Sequence, residues 1–300
     1  MAKKISLFKT PAGEAEYLAA YEATMKHWPL PYLERQLETR FGTVHAILSG
    51  ESDAPPLLLL HGTHTSSTVW LPNVRSLGRR FRLVALDLLG HAGKSRPARG
   101  INNADEAAAW IVEALDQLQI AQAHVLGFSM GTCFALNLAL RAPDRVSRVA
   151  ICGPAGAFGL IGTGLLLRLI TMALFPSRWV TRRFLRWASR HPAAIDPSWQ
   201  EQYIQAIRHV CFTNPAFYLP WPLTDLELAQ ISVPVLILLG EEEVMFNQRR
   251  QVKRALTHLR DVEVDVIPKA GHFFIAEQPD QANRRLLSFL DWPLPAVRAR

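Results

Sequence analysis

Gly127-Phe128-Ser129-Met130-Gly131 stands between an apolar run, HVLGF, and a helix-like pattern, GTCFALNLAL. Glycine two residues before and two after a serine allows a sharp strand-to-helix turn, because a β-carbon at either place would clash with neighbouring elements. A hydroxyl on such a turn faces the amide end of the following helix, which favours developing negative charge. That arrangement suits nucleophilic attack on a carbonyl, with Phe128 and the two glycines supporting the elbow. A Gly-rich strand–helix connection with no chemical role is the competing reading.

A serine hydroxyl needs a base within hydrogen-bond reach. KAGHFFIAEQPDQANRRLLSFL supplies His272 in a loop after the last expected strand, at a carboxyl strand end like Ser129. His91 reads as part of a turn, and His191 and His209 fall in a helical region, so they compete poorly. The base needs a carboxylate to hold its tautomer and to stabilise the imidazolium. In the order Ser, acid, His that carboxylate lies between residues 129 and 272, at another strand end. AICG is followed by PAGAFGLIGTG, which carries no acid; VPVLILLG is followed by Glu241-Glu242-Glu243. The acid therefore belongs in the glutamate run.

Acyl chemistry also needs donors for an oxyanion, worth about 3–4 kcal/mol each. The N–H of Met130 is one candidate. The other is the N–H of Thr63 in LLLLHGTHTSSTVW, where His61 and Gly62 shape the turn. His61 and His64 are three residues apart but lack a third ligand, so no metal site is expected. Gly90-His91-Ala92-Gly93-Lys94-Ser95 ends like a phosphate loop, yet Leu88 occupies the place of its first glycine, and no nucleotide site is expected.

Around these residues, PPLLLLHG, FRLVALDLLG, HVLGFS, RVSRVAICG, VPVLILLG and VEVDVIPKAG read as strands. Their unbroken apolar runs suit parallel strands covered on both faces. RQLETRFGTVHAILSG adds two strands joined at Phe41-Gly42, giving about eight. Helical patterns such as ADEAAAWIVEALDQLQI alternate with them, so the fold class is α/β with helices on both sides of a mostly parallel sheet. The alternation breaks between about Ala155 and Thr224, where no strand is convincing. Residues 1–154 and 225–300 read as the core, with an N-terminal helical extension, and 155–224 as a helical cap.

The chain has 300 residues, about half hydrophobic and a fifth charged, which is globular composition. Its net charge of +7 gathers in PSRWVTRRFLRWASRH, where Arg178, Arg182, Arg186 and Arg190 recur every four residues. Trp179, Val180, Phe184 and Trp187 face elsewhere. This pattern reads as an exposed basic face on a helix packed by its aromatics; a membrane-surface helix is the alternative. No nucleic-acid module accompanies the arginines. GPAGAFGLIGTGLLLRLITMALF has the length of a membrane span but carries five glycines in its first twelve residues and Arg168, so it reads as an apolar loop and helix over a pocket. Cys133, Cys152 and Cys211 are few and far apart, which suggests reduced thiols and a cytoplasmic protein. The N-terminal residues do not form the apolar stretch of a secretory signal.

Taken together, LLLLHG, LVALDLLGHAGKS, GFSMG, GEEE and AGHFFIAEQP resemble the α/β-hydrolase superfamily, in its order, from about residue 56 to 290. The chain is more narrowly similar to bacterial carboxylesterases of the naproxen-esterase type, through HGxxxSSTxW (His61 to Trp70) and a G-E-x-E-V loop. The resemblance implies Ser129 as nucleophile, His272 as base, Glu243 as acid, Thr63 and Met130 as oxyanion donors, and the insertion as a cap over an acyl pocket. It departs from the wider superfamily in having glutamate where aspartate is usual. The expected activity is cofactor-independent hydrolysis of a small-molecule carboxylic ester. A lipase, lactonase, C–C bond hydrolase or acyltransferase would use the same residues, and a ligand receptor on this fold is a further alternative.

Overall fold

A computed structural model describes residues 5–219 and 222–291. Its strands are β1 (Tyr32–Thr39), β2 (Gly42–Ser49), β3 (Pro56–Leu60), β4 (Arg82–Leu86), β5 (Arg96–Pro97), β6 (Ala123–Phe128), β7 (Val146–Cys152), β8 (Val235–Gly240) and β9 (Val262–Ile267). They form one sheet in the order β1-β2-β4-β3-β6-β7-β8-β9, with β5 paired to β2. The β1–β2 hairpin and the β2–β4 pair are antiparallel; from β4 to β9 every neighbouring pair is parallel. The two-residue β5 was not expected from the sequence. Pro97 lies in it, on a strand too short for apolar patterning to register.

The central strands are apolar because both faces are covered. Leu57 to Leu60, Leu83 to Leu86 and Leu236 to Leu239 are fully buried. Burial of each such leucine contributes about 1.5–3 kcal/mol. The edge strand β9 departs from the two-sided expectation: Val262–Ile267 is largely half-buried or exposed, and Arg285 pairs with Glu263 and Asp265 there. Charge on an edge strand discourages pairing with another chain.

The helices are α1 (Pro11–Met25), α2 (Leu71–Leu77), α3 (Ala104–Gln117), α4 (Gly131–Arg141), α5 (Thr163–Leu174), α6 (Arg178–Ala188), α7 (Pro197–His209), α8 (Asp225–Gln230), α9 (Gln248–His258), α10 (Phe274–Glu277) and α11 (Pro279–Leu290). Four of them, α5 to α8, fill the connection between β7 and β8. The apolar stretch 153–175 contains only the twelve-residue α5, about 18 Å long at 1.5 Å per residue. Among the described residues no helix is long and apolar enough to cross a membrane.

The inserted helices are not equally free. The end of α7 is tied to the N-terminal extension: Lys9 N–H donates to His209 O at 2.9 Å and Cys211 N–H to Leu7 O at 2.7 Å. Gln202 within α7 donates to Ser66 Oγ at 2.8 Å and accepts from Thr68 Oγ1 at 2.9 Å. On α6 the aromatics do not all pack inward as the sequence suggested. Phe184 is buried, while Trp179 is 64% exposed.

Sheet register sets the level of the site. Phe128 lies beside Cys152, and Cys152 beside Leu238. The chain therefore leaves β6, β7 and β8 at one end of the sheet, bringing Ser129, Gly153 and the glutamate run together.

Candidate active site

Ser129 follows β6 directly and has φ +52°, a left-handed value unusual for a residue with a side chain. Such strain, of order 1–3 kcal/mol, persists where its surroundings over-determine it. Here Ser129 N–H donates to Cys152 O at 2.8 Å, and Ser129 O accepts from Thr132 N–H at 3.0 Å and Thr132 Oγ1 at 2.5 Å. The flanking glycines are required by contact. A β-carbon on Gly131 would sit 2.1 Å from Leu60 O, and one on Gly127 2.6 Å from Gly131 O.

The loops after β8 and β9 are fastened to each other. Gly240 packs so tightly that a β-carbon there would lie 2.2 Å from Gly271 O. The three glutamates that follow have three different partners. Glu241 Oε2 accepts from Lys269 N–H at 2.8 Å. Glu242 donates its N–H to Ala270 O at 2.9 Å, and its exposed carboxylate pairs with Arg190 at 3.2 Å. Glu243 Oε2 accepts from His272 Nδ1 at 2.7 Å while Oε1 accepts from Met245 N–H at 2.8 Å. Both side chains of the His272–Glu243 pair are sealed from solvent, 1% and 0% exposed. Of the apolar residues after the run, Met245 and Phe246 are buried and Val244 points outward.

With Nδ1–H given to Glu243, His272 keeps a lone pair on Nε2. Ser129 and His272 line the same cavity, but the serine hydroxyl makes no hydrogen bond among the described residues. Bonds of this kind commonly tighten only when substrate binds.

Thr63 and Met130 also line this cavity. His61 explains how the first of these amides is aimed. Its Nε2 accepts from Leu88 N–H at 2.9 Å, so the proton is on Nδ1, which donates to Gly62 O at 2.9 Å. Burial keeps the ring neutral by lowering its pKa. Gly62 O also accepts from Thr65 Oγ1 at 2.9 Å. Because the Gly62–Thr63 peptide is trans, anchoring its carbonyl turns the Thr63 N–H to the opposite side. Gly62 itself leaves room for the elbow, since a β-carbon there would be 2.9 Å from Ser129 Cβ.

The cavity measures about 350 Å³ and no Asp, Glu, Lys or Arg lines it among the described residues. Leu165 and Leu169 of α5, Phe184 of α6 and Tyr203 of α7 form its outer wall; Met245 and Phe273 come from the core loops. His64 lines it at φ +63°, and burial lowers its pKa to about 3, so it is neutral. No group of three or more His, Cys, Asp or Glu side chains among the described residues could hold a metal ion.

Two residues near the pair had no signal in the sequence reading. Gly153, at φ +57°, passes so close to His272 that a β-carbon would be 3.0 Å from Cε1. Glu277 is buried, and its Oε2 accepts from Arg190 N–H at 2.8 Å, His191 N–H at 3.0 Å and Gly271 N–H at 3.4 Å. Together with His272 N–H donating to Ala188 O at 2.8 Å, it clamps the end of α6 onto the histidine loop.

Residues 57–285 match the model of the alpha/beta hydrolase family. Carboxylesterase YbfK of Bacillus subtilis is 33% identical over 280 residues, covering 91% of this chain and 93% of that protein. An uncharacterized carboxylesterase of the same bacterium, nap, is 34% identical over 279 residues, covering 92% of each. The crystal structure of B. subtilis naproxen esterase superposes with a TM-score of 0.88 at 31% identity, covering 94% of this chain and 99% of that one. With its strained serine turn and mostly parallel sheet, the chain belongs to the alpha/beta hydrolase family.

Proposed function

We propose that this protein hydrolyses carboxylic esters through an acyl-enzyme on Ser129. The observation that carries the reading is the sealed His272–Glu243 pair on the same apolar cavity as a serine held at positive φ. In the first half-reaction Ser129 Oγ bonds to the ester carbonyl carbon as His272 Nε2 takes its proton. The tetrahedral oxyanion is held by the Thr63 and Met130 N–H groups. Its collapse breaks the bond to the alcohol oxygen, which leaves with the proton from His272. In the second half-reaction water gives a proton to His272 and attacks the acyl carbon. Collapse then releases the carboxylic acid and returns the proton to Ser129. Glu243 holds the Nδ1–H tautomer and stabilises the imidazolium in both halves.

The carboxylesterase names of the two relatives favour esters over other carbonyl substrates. An apolar cavity with no Asp, Glu, Lys or Arg among its described lining residues favours a neutral acyl group. Residues 155–224 serve in this reading as the cap, with α7 fixed to the N-terminal extension. The three free cysteines support a reducing compartment such as the cytoplasm.

A panel of nitrophenyl esters of increasing acyl length tests the activity. Turnover of neutral esters, lost by about 10⁴-fold in Ser129→Ala, is expected. Equal turnover by the variant would overturn the reading.

A further inference from the structure

The outer face of α5 is apolar and exposed. Leu165, Leu169 and Met172, spaced by four and three, turn inward. Leu166, Leu167, Ile170 and Leu174 turn outward and are 48%, 64%, 47% and 68% exposed. Phe175 and Trp179, at the corner into α6, are each 64% exposed. Isolated apolar side chains on a surface need no explanation, but a helix face and its adjoining corner do.

The charge carried by this segment has one sign. From Ala155 to Ile195 the sequence carries six arginines and no Asp or Glu. Arg178 is paired with Glu201 and Arg190 with Glu242, while Arg168 stacks on Trp187. Arg182, Arg183 and Arg186 are exposed on α6 and form no ion pair among the described residues. Arg183 lies over the exposed ring of Trp179, 5.7 Å from its centre.

Two residues that line the cavity are also exposed. Leu160 and Leu219 line it and yet are 74% and 53% exposed, which marks them as its rim. Leu160 lies just before α5. The wall of the cavity and the exposed apolar face are thus two sides of one helix.

We propose that this cap face docks on an anionic phospholipid bilayer, with the rim at Leu160 and Leu219 turned toward the lipid. Leu167, Leu174 and Phe175 would enter the acyl boundary, Trp179 would sit at headgroup depth, and Arg182, Arg183 and Arg186 would meet lipid phosphates. A second copy of the chain fits the face less well. A two-fold contact is self-complementary and would set these arginines against their own counterparts. The docking gives the site access to esters dissolved in the bilayer, and only that consequence rests on the proposed ester hydrolysis.

The test is flotation of the full chain with phosphatidylcholine vesicles containing about one-third phosphatidylglycerol, against pure phosphatidylcholine vesicles. Binding to the anionic vesicles, weaker by about tenfold on the neutral ones and in high salt, is expected. Two triple variants, Leu167→Glu/Leu174→Glu/Phe175→Glu and Arg182→Glu/Arg183→Glu/Arg186→Glu, should each lose about tenfold or more while melting as the parent does. Failure to float with anionic vesicles would overturn the proposal, as would undiminished flotation of either variant. So would a dimer in gel filtration that the same substitutions dissolve. Flotation needs no turnover, so an inactive but lipid-bound protein would contradict the esterase reading and leave the docking standing.

Discussion

Glu243 and His272 are joined by one 2.7 Å hydrogen bond, and neither side chain reaches solvent. Glu241 and Glu242, which precede it, are exposed, while the Glu243 carboxylate is buried, and this makes the three glutamates separable by experiment. Glu243→Gln should lower kcat/KM by about 10²–10⁴-fold, because the amide presents no full charge to the imidazolium and favours the wrong tautomer. Glu241→Gln and Glu242→Gln should stay within about threefold, as expected of exposed groups. Steady-state kinetics on one nitrophenyl ester decides it; equal losses at all three would remove Glu243 from its assigned place.

Gly153 lies along the Nδ1–Cε1 edge of the same imidazole, beside the Glu243 carboxylate. Gly153→Ala adds a carbon 3.0 Å from His272 Cε1 at a φ of +57°, where a side chain is strained. A shift of His272 by a fraction of an ångström should reduce kcat by about 10–10²-fold with KM little changed. An unaltered kcat in a folded variant would show that the ring tolerates the displacement.

His61 Nδ1 bonds the Gly62 carbonyl, so in the proposed reaction it positions the Thr63 amide. His61→Ala removes one of the two side-chain anchors on the Gly62 carbonyl, leaving that of Thr65, and should cost about 10-fold in kcat, short of the loss of one oxyanion donor. Its pH–rate profile should keep the parent's shape, since the proton-transferring groups remain. A profile that changed shape would instead make His61 a titrating participant.

A separate buried network fixes the N-terminal extension to the core. His45 lies between Asp87 at 3.0 Å and Glu34 at 3.1 Å; Tyr21 also bonds to Asp87, and Lys94 pairs with Glu34 and Glu22. Burial alone would lower the His45 pKa, but the hydrogen bonds to Asp87 and Glu34 outweigh it and raise the value to about 9. The unfolded chain releases this proton near pH 6.5. Between those values the folded state binds more protons, so the network's contribution is complete below about pH 6.5 and is lost as pH rises through 9. Melting temperatures of the parent and His45→Gln should therefore converge between neutral pH and about pH 10. A gap that widened with pH would contradict the assignment.

The local parts of this site were legible as spacing. Gly127, Ser129 and Gly131 announce the elbow within five residues, and His272 and the glutamate run each follow a recognisable strand. Gly153 and Glu277 were not legible, because their partners are remote in the chain. Glu277 accepts from N–H groups 86 and 87 residues earlier, and no local pattern encodes that. The charged edge strand β9 reads as buried in the sequence because alternating valines look alike at an edge and in a centre. Helical periodicity puts Trp179 on a packed face, but periodicity identifies a face and not what covers it.

In the proposed reaction Ser129 carries the acyl group. Titration with a fluorophosphonate, followed by intact-mass and peptide mapping, tests it most directly. One adduct per chain, on Ser129, forming in step with the loss of ester turnover, is expected. Turnover that survives full labelling of Ser129, or inactivation with the adduct on another residue, would contradict it.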